Sequence, residues 1–355
     1  MSSFLSLEDK INGAKEIIKR YYEANEGRVF VSFSGGKDST VLLHIARTMY
    51  PDLLGVYSNT TNEDKDVIDF VKKTNNVQWV VPEMNFKEVV KHYGFPLVSK
   101  EVSKKVSTYR SSKNPLTKKN LKEGGGAGWP IPIKWFPLTE EKFDITSKCC
   151  DILKKKPLEK FAKDSNMVPL IGIMADESAL RKQLALFGKE SEKKAHPFLR
   201  TGWSETDIWE YAEKYNLIFA ECYYDRYLDD GQFLSAEYRT GCIFCGFGIQ
   251  FDKGARFENQ KIKNPKRYEK MMSLENKGVT FRDALNKVFD LDNQPQKTRA
   301  KFLAESESMN DKDDVLIHTS VPNNLKQIDS SKFINFEKEF DGLDILNNLA
   351  KKLKE

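Results

Sequence analysis

The chain opens by alternating between two hydrophobic periods. Residues 4–26 place apolar side chains at helical spacing through Ile11, Ile17 and Tyr21, with Ser6 suited to the N-cap. Arg28 to Phe33 is short, β-branched and aromatic, and reads as a buried strand; Ser34-Gly35-Gly36 breaks it, and Lys37 to Tyr50 returns to helical spacing. The alternation continues with strand-like Leu53 to Tyr57, helical Lys65 to Lys73 and strand-like Val77 to Val81. A later unit pairs a strand at Met167 to Met174 with a helix at Glu177 to Phe187. Strands alternating with helices predict a doubly wound parallel α/β sheet, interrupted after residue 95 and resumed near 167.

Polar stretches mark the interruptions. Ser99 to Glu123 carries eight Lys or Arg against two Glu and ends in Gly124-Gly125-Gly126, which predicts a mobile basic insertion. From Pro295 the chain turns polar through ESESMNDKDD before a last amphipathic stretch from Phe336 to Leu353. These shifts divide the chain into an α/β nucleotide-binding domain at 1–250, with a basic insertion at 99–145 and a cysteine-bearing helical part completing it, a helical extension at 251–300, and a polar linker with a C-terminal amphipathic helix at 301–355. No internal repeat is present.

Composition narrows the setting without choosing a function. An apolar share of 39% is ordinary for a globular chain, and a net charge of +5 over 355 residues neither requires nor excludes a nucleic-acid partner. The start lacks the basic and then apolar pattern of a secretory signal, and nowhere do about 18 apolar residues run together. A cytoplasmic protein without a membrane span is expected. Its five cysteines, Cys149, Cys150, Cys222, Cys242 and Cys245, are too few and too clustered for a disulfide framework, and read as metal or redox thiols.

The most specific signal follows the first strand. In Ser34-Gly35-Gly36-Lys37-Asp38-Ser39-Thr40, glycines let backbone N–H groups close around phosphate oxygens, and the helix that follows adds its partial positive charge. Ser34, Ser39 and Thr40 offer hydroxyls and Lys37 a compact cation. The spacer of a Walker loop is missing. A glycine turn that binds nothing is the bland reading of Gly-Gly alone. The full run, however, resembles the signature of the PP-loop ATP pyrophosphatases, which implies an adenine-nucleotide-α-hydrolase-like fold, ATP as substrate, cleavage between the α- and β-phosphates, and Asp38 holding Mg²⁺.

Cys149-Cys150 and Cys242-x-x-Cys245 supply four thiolates, a set that suits tetrahedral zinc or a 4Fe-4S cluster. Adjacent cysteines favour the cluster, because vicinal thiols chelate one small ion awkwardly. Cys149-Cys150 with Lys154, Pro157 and Leu158 resembles the Cys-Cys-x-x-x-Lys-x-x-Pro-Leu stretch of the phosphoadenosine phosphosulfate (sulfonucleotide) reductases, which ligate 4Fe-4S through such a pair and a later Cys-x-x-Cys. Gly172 with Asp176, Glu177, Ser178 and Arg181, and Pro197 with Gly202, Trp203, Asp207, Ile208, Trp209 and Tyr211, extend the likeness over residues 28–250. Two departures matter. Those reductases use a cysteine within Glu-Cys-Gly-Leu-His, whereas no cysteine follows Cys245 here; and their phosphate loop is degenerate, whereas this one is whole.

An intact loop beside reductase-like cysteines is similar to the PP-loop subunit of DNA phosphorothioation systems and to cluster-dependent tRNA thiolation enzymes. That resemblance implies an adenylating sulfurtransferase acting on a nucleic acid, fed by a sulfur donor such as a cysteine desulfurase. The competing readings are a reductase of adenylyl sulfate or its 3′-phosphorylated form, and a nucleotide-sensing cluster subunit without turnover. Lys37, Asp38 and Arg181 are the candidate catalytic residues, Arg181 as an anion contact; Asp176-Glu177-Ser178 read equally well as a helix N-cap. Cys222 reads as a buried small hydrophobe or a persulfide carrier. Tyr109, Trp129 and Trp135 near the basic insertion, and the basic aromatic run from Arg256 to Tyr268, offer stacking and phosphate contacts. The last helix reads as a docking or self-association element, consistent with a homo-oligomer.

Overall fold

The computed structural model describes residues 5–125, 128–188, 191–237, 239–249 and 255–290. The linker and final helix expected at 301–355 lie outside them.

Helix α1 (Leu7–Ala24) begins at Ser6, whose Oγ accepts from Asp9 N at 3.1 Å while Asp9 Oδ2 accepts from Ser6 N at 3.1 Å. This reciprocal box satisfies two end N–H groups. Its buried face runs through Ile11, Ala14, Ile18 and Tyr21. Strand β1 (Val29–Ser32) leads into α2 (Lys37–Met49), then β2 (Leu54–Ser58), α3 (Lys65–Lys73) and β3 (Val77–Val80). The chain returns to the sheet only at β4 (Val168–Leu170), giving the order β3-β2-β1-β4 with every pairing parallel. Phe30 aligns with Leu54 on one side and Pro169 on the other. The doubly wound parallel α/β fold expected from the alternation is therefore present.

β1 reads Val-Phe-Val because both faces are covered. Val29 and Val31 join Ile11, Leu42, Ile45 and Ile208 in one core, and Phe30 meets Phe161 edge-on at 5.2 Å between ring centroids. The chain runs from β1 outward to β2 and β3, then crosses to β4 on the other side of β1. That reversal puts the topological switch point at the carboxyl end of β1, where ligands bind in open sheets of this kind. The strand expected over Met167 to Met174 is shorter. A Cβ on Gly172 would come within 3.1 Å of the Asp38 carbonyl oxygen, so the chain here follows the phosphate loop closely instead of continuing the ladder.

The excursion between β3 and β4 builds a second core. Helix α4 (Phe86–Tyr93) contributes Phe86, Val89 and Val90 to it. The basic segment, expected to be mobile, forms α5 (Lys100–Ser111) and α6 (Pro115–Glu123). Val102 and Val106 sit one turn apart and bury in this core, so a periodicity masked by lysines decides the outcome. The cysteine turn α7 (Lys148–Cys150) continues through a π-helical turn, Asp151–Lys155, into α8 (Lys156–Ser165). Helix α9 (Ala179–Phe187) follows with Leu180, Leu186 and Phe187 exposed, and α10 (Pro197–Arg200) and α11 (Glu205–Lys214) complete the first core. A small hairpin, β5 (Arg226–Tyr227) and β6 (Phe233–Leu234), follows them. Helices α12 (Ala255–Lys263) and α13 (Pro265–Met272), the hairpin β7 (Glu275–Asn276) and β8 (Val279–Thr280), and α14 (Phe281–Phe289) close the second core through Phe257, Tyr268, Met272 and Phe281. Among the described residues no helix is long and apolar enough to cross a membrane.

Candidate active site

The phosphate loop sits at the switch point. Gly35 has φ +70°, and a Cβ there would meet Val71 at 2.6 Å and Val67 at 2.8 Å, so both the left-handed turn and its packing on α3 require glycine. Ser34 N donates to Ser39 Oγ at 3.1 Å, and the hydroxyls of Ser39 and Thr40 donate to Gly36 O at 2.9 and 3.0 Å. Lys37 N donates to the Tyr223 hydroxyl at 3.2 Å. The Lys37 ammonium is buried, 3.4 Å from Glu205 Oε1 and 3.9 Å from Asp38 Oδ1. Asp38 Oδ1 is itself buried without a hydrogen-bond partner, and burial pushes this carboxyl up against the pull of Lys37. An orphaned buried carboxylate oxygen beside a phosphate loop fits a divalent cation.

Charged residues rim the loop. Glu177 accepts from Arg239 at 2.8 Å and pairs with Arg181, the expected anion contact, while its Oε1 also takes Met174 N at 2.9 Å. Ser178 caps α9 through Arg181 N at 3.3 Å. The structure thus gives Arg181 a carboxylate partner at the mouth of the loop, and brings in Arg239. The stretch around Trp203 and Asp207 is a clamp: Asp207 Oδ2 accepts from Lys10 Nζ at 2.7 Å and from Ser204 N at 2.7 Å, fixing α11 on α1 so that Glu205 reaches Lys37.

The second half-site connects directly to this loop. Tyr223, whose hydroxyl meets Lys37 N, is also hydrogen-bonded to Thr240, two residues before Cys242. Cys242 Sγ lies 3.6 Å from Thr60 Oγ1, in the loop after β2. Asn62 in that loop holds the Cys-x-x-Cys turn, its carbonyl accepting from Ile243 N at 2.7 Å and its side chain bridging to the Phe244 backbone at 3.3 and 3.4 Å. Gly246 N donates to Pro96 O at 2.9 Å, which anchors the turn's far end.

Cys149, Cys150, Cys242 and Cys245 act electrostatically on one another, so the fold brings both half-sites to one partly buried locale. Among the described residues no three His, Cys, Asp or Glu side chains are gathered closely enough to read as a formed metal group. The donor set of four sulfurs nevertheless suits a Cys₄ centre. Hydrogen bonding from Cys149 brings the Cys150 thiol down to about 6, with Lys154 and Lys100 assisting, while the same contact raises Cys149. Burial pushes Cys245 up to about 12. Lys154 of the π-turn is half-buried, and Cys242, with Glu63, raises its ammonium above the ordinary range. Glu63 Oε2 and the Tyr57 hydroxyl are buried without partners, and burial raises both groups. Cys222 is buried in the first core and its thiol raised by that burial, as befits a small hydrophobe.

Tyr57, Thr60, Asn62, Glu63, Glu205, Tyr223, Arg239 and Thr240 were not singled out by sequence reasoning. The loop after β2 reads only as a polar turn, and residues 223–240 show no periodicity. The one usable signal is position, since the carboxyl end of β2 also opens at the ligand-binding edge of the sheet.

Fold and loop together define an α/β protein of the PP-loop class. Residues 28–245 match the phosphoadenosine phosphosulfate reductase domain, and the chain belongs to that family. An uncharacterised protein of Methanocaldococcus jannaschii is 28% identical over 240 residues, covering 64% of this chain and 44% of its own length, so the chain spans less than half of that relative. The adenosine 5′-phosphosulfate reductase of Staphylococcus saprophyticus is 24% identical over 247 residues, covering 68% of this chain and 80% of its own. Among solved structures, phosphoadenylyl-sulfate reductase from Candida auris aligns at TM-score 0.33 and 13% identity over 62% of this chain and 92% of its own. The U34-tRNA thiolase NcsA from Methanococcus maripaludis, with its 4Fe-4S cluster, aligns at TM-score 0.34 and 13% identity over 82% and 91%. At those scores the likeness decides neither fold nor function.

Proposed function

We propose that this protein is an ATP-dependent, adenylating sulfurtransferase that carries a 4Fe-4S cluster and acts on a nucleic acid. The observation that carries this reading is the short physical path from the phosphate loop to the cysteines, Lys37 N to Tyr223 to Thr240 and, two residues on, Cys242. A machine that only sensed nucleotide would need no second reactive locale beside an intact loop.

In this reading the loop N–H groups and Lys37 bind the β- and γ-phosphates, with Arg181 and Arg239 at the rim to accept negative charge as it develops. Asp38 would hold Mg²⁺ through its orphaned Oδ1, and the ion supplies charge neutralisation when bound. An acceptor oxygen attacks the α-phosphorus, the acceptor–AMP bond forms, and pyrophosphate leaves. Hydrosulfide, released by a thiol reductant from the persulfide of a donor such as a cysteine desulfurase, then attacks the activated position; the bond to the AMP oxygen breaks and AMP departs. Cys149, Cys150, Cys242 and Cys245 would hold the cluster, which would have room for sulfide only at an iron that one of these four thiolates gives up. Lys154 keeps a positive charge beside that locale, favouring an anionic sulfur species.

One observation favours a second reading: relatives of this chain include adenosine 5′-phosphosulfate reductases. One assay separates the two. The protein is incubated anaerobically with ATP, sulfide and mixed nucleic acid, then separately with adenylyl sulfate and a thiol. Sulfurtransfer is expected to give AMP, pyrophosphate and nucleic-acid-bound sulfur in equal amounts, falling about 10²-fold in Lys37→Ala, the scale of losing one preorganised charge donor. Sulfite release from adenylyl sulfate, with no ATP consumed, would overturn the proposal in favour of the reductase.

A further inference from the structure

The face formed by α4, α13 and the β7–β8 hairpin carries charge that the loop and cysteines do not use. A depression of about 360 Å³ between α4 and α13 is lined by Thr61, Asn85, Lys87, Arg267 and Lys270 among others, with three cations and no carboxylate. A second, of about 570 Å³, adjoins it through the shared Lys87 and adds Lys91 and Lys277 against Glu88 and Glu275. Glu88 is occupied by the Asn85 N–H at 2.7 Å, capping α4, and Lys277 is paired with Asp144 at 2.8 Å.

The fold holds these cations together, and of the three in the first depression Arg267 also feels the carboxylates of Asp64 and Glu63 behind it. On α4, Phe86, Val89 and Val90 bury, which leaves Lys87 and Lys91 one turn apart on the outer face. On α13, Tyr268, Met271 and Met272 bury and present Arg267 and Lys270. Arg267 donates to Glu63 O at 2.9 Å and lies 5.9 Å above the Phe244 ring, so its position is fixed by the cysteine-bearing loops. Asn276 Nδ2 donates to Val90 O at 3.0 Å, pinning the hairpin to α4. Burial, then the nearby Lys270 and Arg267, holds the Lys87 ammonium below its ordinary range. Like charges packed in this way are relieved by an anion in the groove.

We infer that this groove is a binding site for the phosphodiester backbone of the nucleic-acid acceptor, with Lys87, Arg267 and Lys270 as its phosphate contacts. The inference rests on the nucleic-acid reading above and specifies where the acceptor lies. Two adjoining cationic depressions suit a chain of repeating phosphates better than one small anion. The groove's inner wall contains Thr61, next to Thr60 and Asn62, which meet Cys242 and hold its turn. A backbone seated there runs past the cysteine locale. The contacts are all to phosphate, so the groove positions the strand and reads no bases.

The test is fluorescence anisotropy of the full chain with a labelled single-stranded oligonucleotide and the matching duplex, as a function of salt. The variants are Lys87→Gln/Lys270→Gln and, as a control on the other basic helices, Lys104→Gln/Lys119→Gln. Each lost contact lowers the slope of log affinity against log salt by about 0.7 for a single strand. The groove variant is therefore expected to bind at least about tenfold more weakly at 0.1 M salt with a slope about 1.4 shallower, and the control to bind like wild type. Matching thermal unfolding shows that both variants are folded. Wild-type binding that the groove variant leaves intact, or that the control variant weakens equally, overturns the groove while leaving the nucleic-acid reading standing. No binding of wild type to any nucleic acid overturns both. Displacement of the oligonucleotide by inorganic phosphate beyond its ionic-strength effect would make this a free-phosphate site and overturn the inference too.

Discussion

Burial divides the labour among the residues of the two sites. Lys37 and Asp38 are both withdrawn from water in the loop, and the carboxyl is raised because its desolvation outweighs the attraction of the lysine beside it. Cys149 and Cys150 show the same competition in a pair: one thiol donates to the other, so the acceptor becomes the more acidic. A depressed thiol populates its thiolate above its pKa and loses it below, so Cys150 of the metal-free protein is expected to react with an alkylating agent above about pH 6. Peptide-mapped alkylation with iodoacetamide is expected to give a Cys150 rate that levels off above neutral pH, while Cys245, pushed up to about 12, reacts far more slowly. A Cys150 rate still climbing through pH 9 would contradict that order. At this scale the sequence was most legible where chemistry is local: Ser34 to Thr40 and the four cysteines declare themselves by spacing. Tyr223 and Arg239 do not, because their roles arise from contacts with Lys37 and Glu177, 186 and 62 positions away in the chain, and Thr240 enters only through Tyr223.

Elements were legible where burial is one-sided or complete. The β1 run Val-Phe-Val and the amphipathic α3, bounded as expected at Lys65 and Lys73, follow from their patterns. The basic segment did not, because eight cations conceal the two valines that turn α5 inward. The N-terminus of α3 also carries a feature invisible in one dimension. Asp64 caps the helix through Asp66 N at 2.8 Å and accepts from Lys263 Nζ at 2.6 Å, while Asp66 accepts from Arg226 and Lys263, both at 2.6 Å. This buried network joins the loop after β2 to α12 and the β5 strand. Replacing Asp64 by Ala is expected to destabilise the fold by about 3 kcal/mol in urea unfolding, because it strips a cap and leaves a buried lysine short of one partner. Lys160→Ala, which removes a solvent-exposed i,i+4 pair with Asp164, is expected to leave stability unchanged. Equal midpoints for Asp64→Ala and wild type would show the network to be incidental.

Across the whole molecule, two hydrophobic cores meet at the carboxyl edge of one parallel sheet. The first carries the phosphate loop and the second carries Cys149 with the helices that close over the cysteines. Val102, Val106, Leu138 and Phe143 share the second core with residues 257–285, although the sequence reads the two as a basic insertion at 99–145 and a separate extension at 251–300, because composition reports where charge is and not which apolar faces find each other. The loop after β2 and the segment from Tyr223 to Cys245 then couple the sites. Sulfur chemistry at the four cysteines requires that they hold a cluster, and metal analysis after anaerobic purification of wild type and Cys149→Ala decides whether they do. About four iron and four sulfide per chain, lost in the variant, are expected of a Cys₄-ligated cluster. Zinc alone, at about one per chain, would contradict the account and leave a structural site beside a plain adenylating enzyme.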